Sequence, residues 1–234
     1  MIDIRTMKNI LTVQMDAELR AIRGIIRDYQ RKTSSDRSLM QQCDQIFENR
    51  LLTNPKALKM SFWKDHFEWQ SLVAYPEIKG RILDFGCGSG HSDVFLARQG
   101  RQVHGIDLSP LGIRIANYLR DKEGEMIKNR LSFEAVDITT GRPAGELFDS
   151  VWASHVFEHI DDPGPLLQGL KKWLKPEAHV LLSVPLGNAY SDPGHIHKYY
   201  TDSQLVDFLK NCLQIVRIDV SEKKQVIRAL CRFK

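Results

Sequence analysis

The sequence predicts an α/β fold, a mostly parallel sheet covered by helices, with a helical extension in front of it. Three observations carry this. After Gly80, short apolar runs of β-type composition alternate with helical patterns; the first run enters a glycine-rich turn; and the first third of the 234-residue chain instead spaces its apolar residues as a helix does.

Taken in order, Leu11, Met15, Leu19, Ile22, Ile26 and Tyr29 step by four, four, three, four and three, which predicts an amphipathic helix from about Ile10 to Tyr29. Arg20, Arg23, Arg27 and Arg31 form a second stripe beside it, either the solvated face of a docked helix or a surface for a phosphate-bearing acceptor or an acidic partner. The polar run Lys32 to Arg37 reads as a linker or cap, and a further helix ends near Asn54-Pro55. Strands are expected at Arg81 to Phe85, Gln102 to Asp107, Leu131 to Val136, Phe148 to Ala153 and His179 to Val184. Helices are expected near His91 to Gln99, Pro110 to Lys122, Pro163 to Trp173 and Thr201 to Asn211. The runs Gln214 to Val220 and Gln225 to Phe233 read as an antiparallel hairpin. The division expected is an extension or lid over 1–75 and a ligand-binding domain over 76–234.

Composition narrows the function classes. With 42% hydrophobic and 26% charged residues, the chain can bury a substantial core. No apolar run reaches about 18 residues, and Arg5, Lys8 and Asp16 interrupt the N-terminal stretch. Neither a membrane span nor a signal peptide is expected, and the location read from this is cytoplasmic. Cys43, Cys87, Cys212 and Cys231 form no CxxC pair, which argues against a disulfide framework or a thiolate zinc site. A net charge of +4 is too small to mark a nucleic-acid binder by itself.

The most informative stretch is Asp84-Phe-Gly-Cys-Gly-Ser-Gly90-His91, a buried strand running into a glycine turn and then a helix. Glycines there let backbone approach a ligand, and the helix start offers free amide groups. The glycines fall at 86, 88 and 90 with His at 91, which departs from the dinucleotide fingerprint. Asp84 is placed to meet an ammonium group, directly or through water. Asp107, with Leu108 after it, ends the second strand, where a carboxylate can accept from both ribose hydroxyls. Asp137 and Ile138 end the third, where an acid can accept from an adenine amino group and an aliphatic chain can pack on the ring.

With these residues in place, the chain resembles the class I S-adenosylmethionine-dependent methyltransferases, from about residue 60 onward. The resemblance implies a Rossmann-like, seven-stranded, mostly parallel sheet with an antiparallel last strand. It implies S-adenosylmethionine as cofactor, held by Asp84, Gly86, Cys87, Gly88, Gly90, His91, Asp107, Leu108, Asp137, Ile138 and Ser154. Trp63 and Phe67 look like an aromatic element closing over the cofactor, with a plain core role equally open.

The fourth strand leads into Ser154-His155-Val-Phe-Glu158-His159, whose His155, Glu158 and His159 share one side of a short helical turn. His195 and His197 follow the fifth strand and emerge at the same edge. The Glu-His pair resembles the branch containing quinone-biosynthesis, sugar and natural-product O-methyltransferases, some of which hold a divalent cation there. The expected cation ligands are Glu158, His159 and His197, with His155 as an alternative, although His at 155 disfavours magnesium. His155 is the first choice for a general base and His197 the second, with Glu158 as an orienting group. The reading is O-methylation of a small-molecule hydroxyl. Ribose 2′-O methylation of RNA and a non-catalytic scaffold docking a partner, or a second copy, through the N-terminal helix are the alternatives.

Overall fold

The computed structural model describes residues 17–32, 39–139, 145–189 and 195–234. The expected start of the first helix, with Leu11 and Met15, lies outside them, as do most of the polar linker and the side chains of Arg31 and Phe67. Helices α1 (Ala17–Lys32), α2 (Leu39–Thr53), α3 (Met60–Trp63) and α4 (Phe67–Ser71) precede the sheet. Then come β1 (Arg81–Phe85), α5 (His91–Arg98), β2 (Gln102–Asp107), α6 (Pro110–Asp121), α7 (Glu125–Lys128) and β3 (Leu131–Ala135). The chain continues through β4 (Phe148–Ser154), α8 (Pro163–Lys171), β5 (Leu174–Pro185), α9 (Asp202–Leu209), β6 (Leu213–Ser221) and β7 (Val226–Phe233).

The seven strands form one sheet in the order β3-β2-β1-β4-β5-β7-β6. β7 runs antiparallel to both β5 and β6, and every other pairing is parallel. The order reverses between β1 and β4, so their two loops flank a crevice at the carboxyl ends of the strands, the place where open α/β sheets bind ligands.

Alternation along the strands sends side chains to two cores. Ile82, Trp152, Leu181 and Leu230 face one side and pack with residues of α1, α2, α5 and α6. Leu83, Val151, Ala153, Val180, Leu182 and Ala229 face the other, with residues of α8 and α9. The predicted apolar stripe of α1 is buried at Leu19, Ile22, Ile26 and Tyr29. Leu58, Leu72 and Tyr75, before the expected boundary at 75, are buried in the same core as β1.

The bounds on either side of Trp173 differ from expectation. The helix expected to reach Trp173 stops at Lys171, because the Trp173 carbonyl accepts from Phe148 N (2.9 Å) and the chain has already joined the sheet. β5 accordingly begins at Leu174, with an irregularity in its pairing to β4 before His179. Among the described residues, no helix is long and apolar enough to cross a membrane.

Candidate active site

The glycine turn is built by backbone that only glycine adopts cheaply. Gly86 has φ +78°, and a Cβ there would stand 2.4 Å from Val156 Cγ2, so the turn lies directly against the segment leaving β4. Gly86 N and Cys87 N both donate to the Ile106 carbonyl (2.8 and 3.0 Å), which binds the turn to β2. Among the described residues a Cβ at Gly88 would meet only Phe47 Cζ, at 3.8 Å, leaving a cradle that suits a close-packed ligand.

Asp107 closes this cradle. Its Oδ2 accepts from Gly88 N and its Oδ1 from Ser109 N, both at 2.8 Å, so the carboxylate is fixed beside the turn. Asp137 accepts from Thr139 N (2.8 Å) and Thr139 Oγ1 (2.6 Å), which orders the turn after β3. Cys87 lies in the turn, and burial followed by the charges of Asp93, Asp107 and Asp84 pushes its thiol well up, so it stays protonated. Leu108 is half-buried after β2.

Two expected cofactor residues are turned elsewhere. Ile138 is buried at 2% exposure in the core under α8, so it supports the rim and offers no open face for a ring. His91 is also buried, with Nδ1 on Ser89 Oγ (2.9 Å) and Nε2 on the Leu58 carbonyl (3.0 Å), and Trp63 stacks on its ring. Nε2 thus ties α5 to the segment before α3, while Nδ1 is held within the glycine turn.

At the other side of the crevice a buried carboxylate from α4, Glu68, organises the ends of β4, β5 and β7. Its Oε2 accepts from Ser154 Oγ (2.7 Å) and Ser183 Oγ (3.1 Å); Oε1 faces His155 Nε2 (3.2 Å) and Arg228 Nη2 (3.9 Å). His155 itself has φ +55°, held by its N–H on the Ser183 carbonyl (2.9 Å), and its Nδ1 faces Glu158 Oε1 at 3.3 Å. Burial alone would lower the His155 pKa, but the hydrogen bonds and charges of Glu158 and Glu68 overcome it and raise it to about 9. Burial would likewise raise Glu68, yet His155, Ser154 and Arg228 hold it down to about 2. The expected neutral base at 155 is therefore an imidazolium clamped between two carboxylates.

Glu158 is fully buried, and its carbonyl accepts from both Ile196 N (2.8 Å) and His197 N (3.0 Å). That double contact bends the segment and separates its imidazoles. His195 Nε2 comes within 3.8 Å of Glu158 Oε1 and its ring meets His159 edge-on, centroids 4.8 Å apart. His197 turns away onto Phe208 (4.8 Å), with Nε2 3.4 Å from the Asp161 carbonyl. One donor atom each from Glu158, His159 and His195 lies within 4.8 Å of the others, so a cation would find His195, not His197, as its second imidazole.

Glu68, Ser183, Arg228 and the placement of His195 were not legible in the sequence. Glu68 meets Ser154 and Ser183 across 86 and 115 positions, a pairing that no local spacing encodes. Its one local mark is a carboxylate in the aromatic run Phe62-Trp-Lys-Asp-His-Phe-Glu-Trp69.

Comparisons with known proteins agree with this architecture. A methyltransferase domain family matches residues 58–214. The ubiquinone biosynthesis O-methyltransferase of Xanthomonas axonopodis pv. citri (strain 306) is 33% identical over 103 residues, which cover 44% of this chain and 42% of that protein. Phosphoethanolamine N-methyltransferase 1 of Zea mays is 38% identical over 104 residues, 44% of this chain and 20% of that protein. The match thus spans less than half the length of either relative. Among solved structures, the glycopeptide N-methyltransferase MtfA superposes with TM-score 0.61 at 14% identity, over 78% of this chain and 98% of that one. Its complex with S-adenosyl-L-methionine gives 0.58 at 14%, over 70% and 92%. These structures share the fold.

Proposed function

The chain belongs to this methyltransferase domain family, and on that premise we propose that it is an S-adenosylmethionine-dependent methyltransferase acting on a hydroxyl oxygen of a small-molecule acceptor. The observation that carries the oxygen assignment is the Glu158, His159 and His195 cluster, standing beside the β4 segment whose Val156 packs on the glycine turn. A hydroxyl must lose its proton as it is methylated, and this cluster holds the imidazoles suited to receive it.

When bound, S-adenosylmethionine supplies a methyl group already activated by its sulfonium. The residues present fit it: the open cradle at Gly88 admits a close-packed ligand, and Asp107, fixed beside that cradle, keeps acceptor capacity for ribose hydroxyls. Because displacement at carbon needs an in-line oxygen, positioning supplies much of the rate. Glu158 anchors the 195–197 segment through its carbonyl and aims its carboxylate at His195 and His155. His155, protonated at neutral pH, acts as a fixed cation that orients Glu158, and proton acceptance falls to His195 or His159. The same three side chains would hold a divalent transition metal, which would lower the acceptor hydroxyl's pKa.

The test is methyl transfer from labelled S-adenosylmethionine to matched hydroxylated and amino acceptors, with and without a chelator, products being assigned by mass spectrometry. O-methylated product that falls at least about tenfold in His195→Ala supports the reading. Methylation confined to nitrogen, an outcome suggested by the maize relative's name, overturns it.

A further inference from the structure

Beneath the glycine turn lies an acid that the preceding account does not use. Asp93, in the first turn of α5, is 0% exposed, and no hydroxyl, amide or cationic side chain among the described residues reaches either of its carboxylate oxygens. It meets the carboxyl of Asp84, itself 4% exposed at the end of β1, and the two hydrogen-bond each other. Among the described residues, the groups facing the pair offer no compensating cation. They are the Asp107 carboxylate from β2 and the Cys87 thiol from the turn, while His91, one turn-edge away on α5, has both nitrogens committed to Ser89 and Leu58. Two carboxyl groups in contact, out of water and with no cation from the described residues beside them, do not both ionise, so the pair keeps a proton between them. Burial pushes both acids up; the charge of Asp93 and the contact with it raise Asp84 further, while the same contact and a backbone amide partly offset the rise at Asp93.

A buried acid pair that has no internal counter-charge is matched by a ligand that brings one. We propose that Asp93 joins Asp84 as a second acid of the cofactor site, and that seating the ammonium group of S-adenosylmethionine against this pair expels the proton the two carboxyls share. The balance is simple. One O–H bond breaks, the proton goes to solvent, and the resulting pair of carboxylates faces the ligand's ammonium. The proposal rests on the cofactor reading above and adds to it a proton-linked binding step.

The experiment is isothermal titration calorimetry of the full chain with S-adenosylhomocysteine at about pH 6, where an α-amino group is fully protonated. Repeating it in buffers of different ionisation enthalpy reads the number of protons released. The expected result is release approaching one proton for S-adenosylhomocysteine and none for adenosine, which fills the nucleoside end but carries no ammonium. Association should then strengthen close to tenfold per pH unit below the pair's titration and level off above it. Asp93→Asn should bind without proton release; if that variant does not fold, the contrast between the two ligands on the natural chain stands by itself. A binding enthalpy for S-adenosylhomocysteine that is the same in every buffer overturns the proposal and leaves the cofactor reading intact. Equal proton release by adenosine overturns it too. Absence of any binding by either ligand defeats the cofactor reading itself.

Discussion

Glu68→Gln isolates the charge of the buried carboxylate that α4 contributes to the sheet. Glutamine keeps the shape and an acceptor for Ser154 and Ser183, so the main loss is the negative charge beside His155. A His155 pKa of about 9, against 6.5 for the free side chain, corresponds to about 3 kcal/mol of stability, which Glu158 and Glu68 supply together. Losing one of two comparable partners should cost about 1–2 kcal/mol near pH 6. The direction with pH follows from the raised value. The contribution is complete below 6.5 and disappears as pH rises through about 9. Glu68, lowered from 4.5 to about 2, contributes above 4.5 and loses its share as pH falls toward 2. Urea unfolding in chelator-containing buffers should therefore show the natural chain on a plateau between about 4.5 and 6.5 and declining toward 9. The variant should start lower, decline less and finish its decline at lower pH. Two profiles that run parallel from 6.5 to 9 would refute the clamped imidazolium.

Other substitutions probe the rest of the site. Asp107→Ala should weaken S-adenosylhomocysteine binding by about 2–3 kcal/mol by calorimetry, since it removes a charged acceptor, and should also lower the melting temperature because Gly88 N and Ser109 N lose their partner. Unchanged affinity would remove Asp107 from the cofactor's contacts. Asp44→Ala strips the acceptor shared by Tyr29 OH (2.6 Å), Ser109 Oγ (2.5 Å) and Leu111 N (3.0 Å), and should destabilise the chain by about 2–4 kcal/mol; an unmoved denaturation midpoint would deny that α2 is pinned to α6 through this residue. Gly90→Ala forces a side chain into φ +68° and places its Cβ 2.8 Å from Ala116 Cβ and the Phe133 ring, so a loss of about 2 kcal/mol or more is expected in thermal unfolding.

The sheet was legible because its signals are local. Ile82, Leu83 and Phe85, interrupted by Asp84 alone, put apolar side chains on both faces as a strand covered on both sides requires, and the glycines at 86, 88 and 90 mark where it must turn. The acids at 84, 107 and 137 could be placed for the same reason, since a strand end in a parallel sheet fixes its edge. What the sequence concealed is what happens between elements. Spacing put His155, Glu158 and His159 on one side of a turn, but the protonation of His155 depends on Glu68, 87 positions away. It favoured His197 over His195 as ligand and base, whereas the double hydrogen bond to the Glu158 carbonyl sends the His195 ring to the carboxylate and His197 to Phe208. Nothing in the spacing singles out Asp93; its burial against Asp84 is a tertiary fact.

The polar ties also bear on how the N-terminal segment can move. Apolar periodicity alone made residues 1–75 look like one extension that could swing as a lid. The family match begins at residue 58, and from there the contacts are of a different kind. Leu58 holds His91 at the start of α5, and Glu68 gathers side chains from β4, β5 and β7. Swinging residues 58–75 outward would strand Glu68 or leave His155 and Arg228 short of a counter-charge, a cost of several kcal/mol. α1 and α2 are joined to the sheet's helices through their apolar faces and the Asp44 bonds, with Phe47 lying over Gly88 and Gly112. Any opening above the glycine turn is therefore cheapest as a displacement of α1 and α2 on α6, with α4 left in place where Glu68 ties it to β4, β5 and β7.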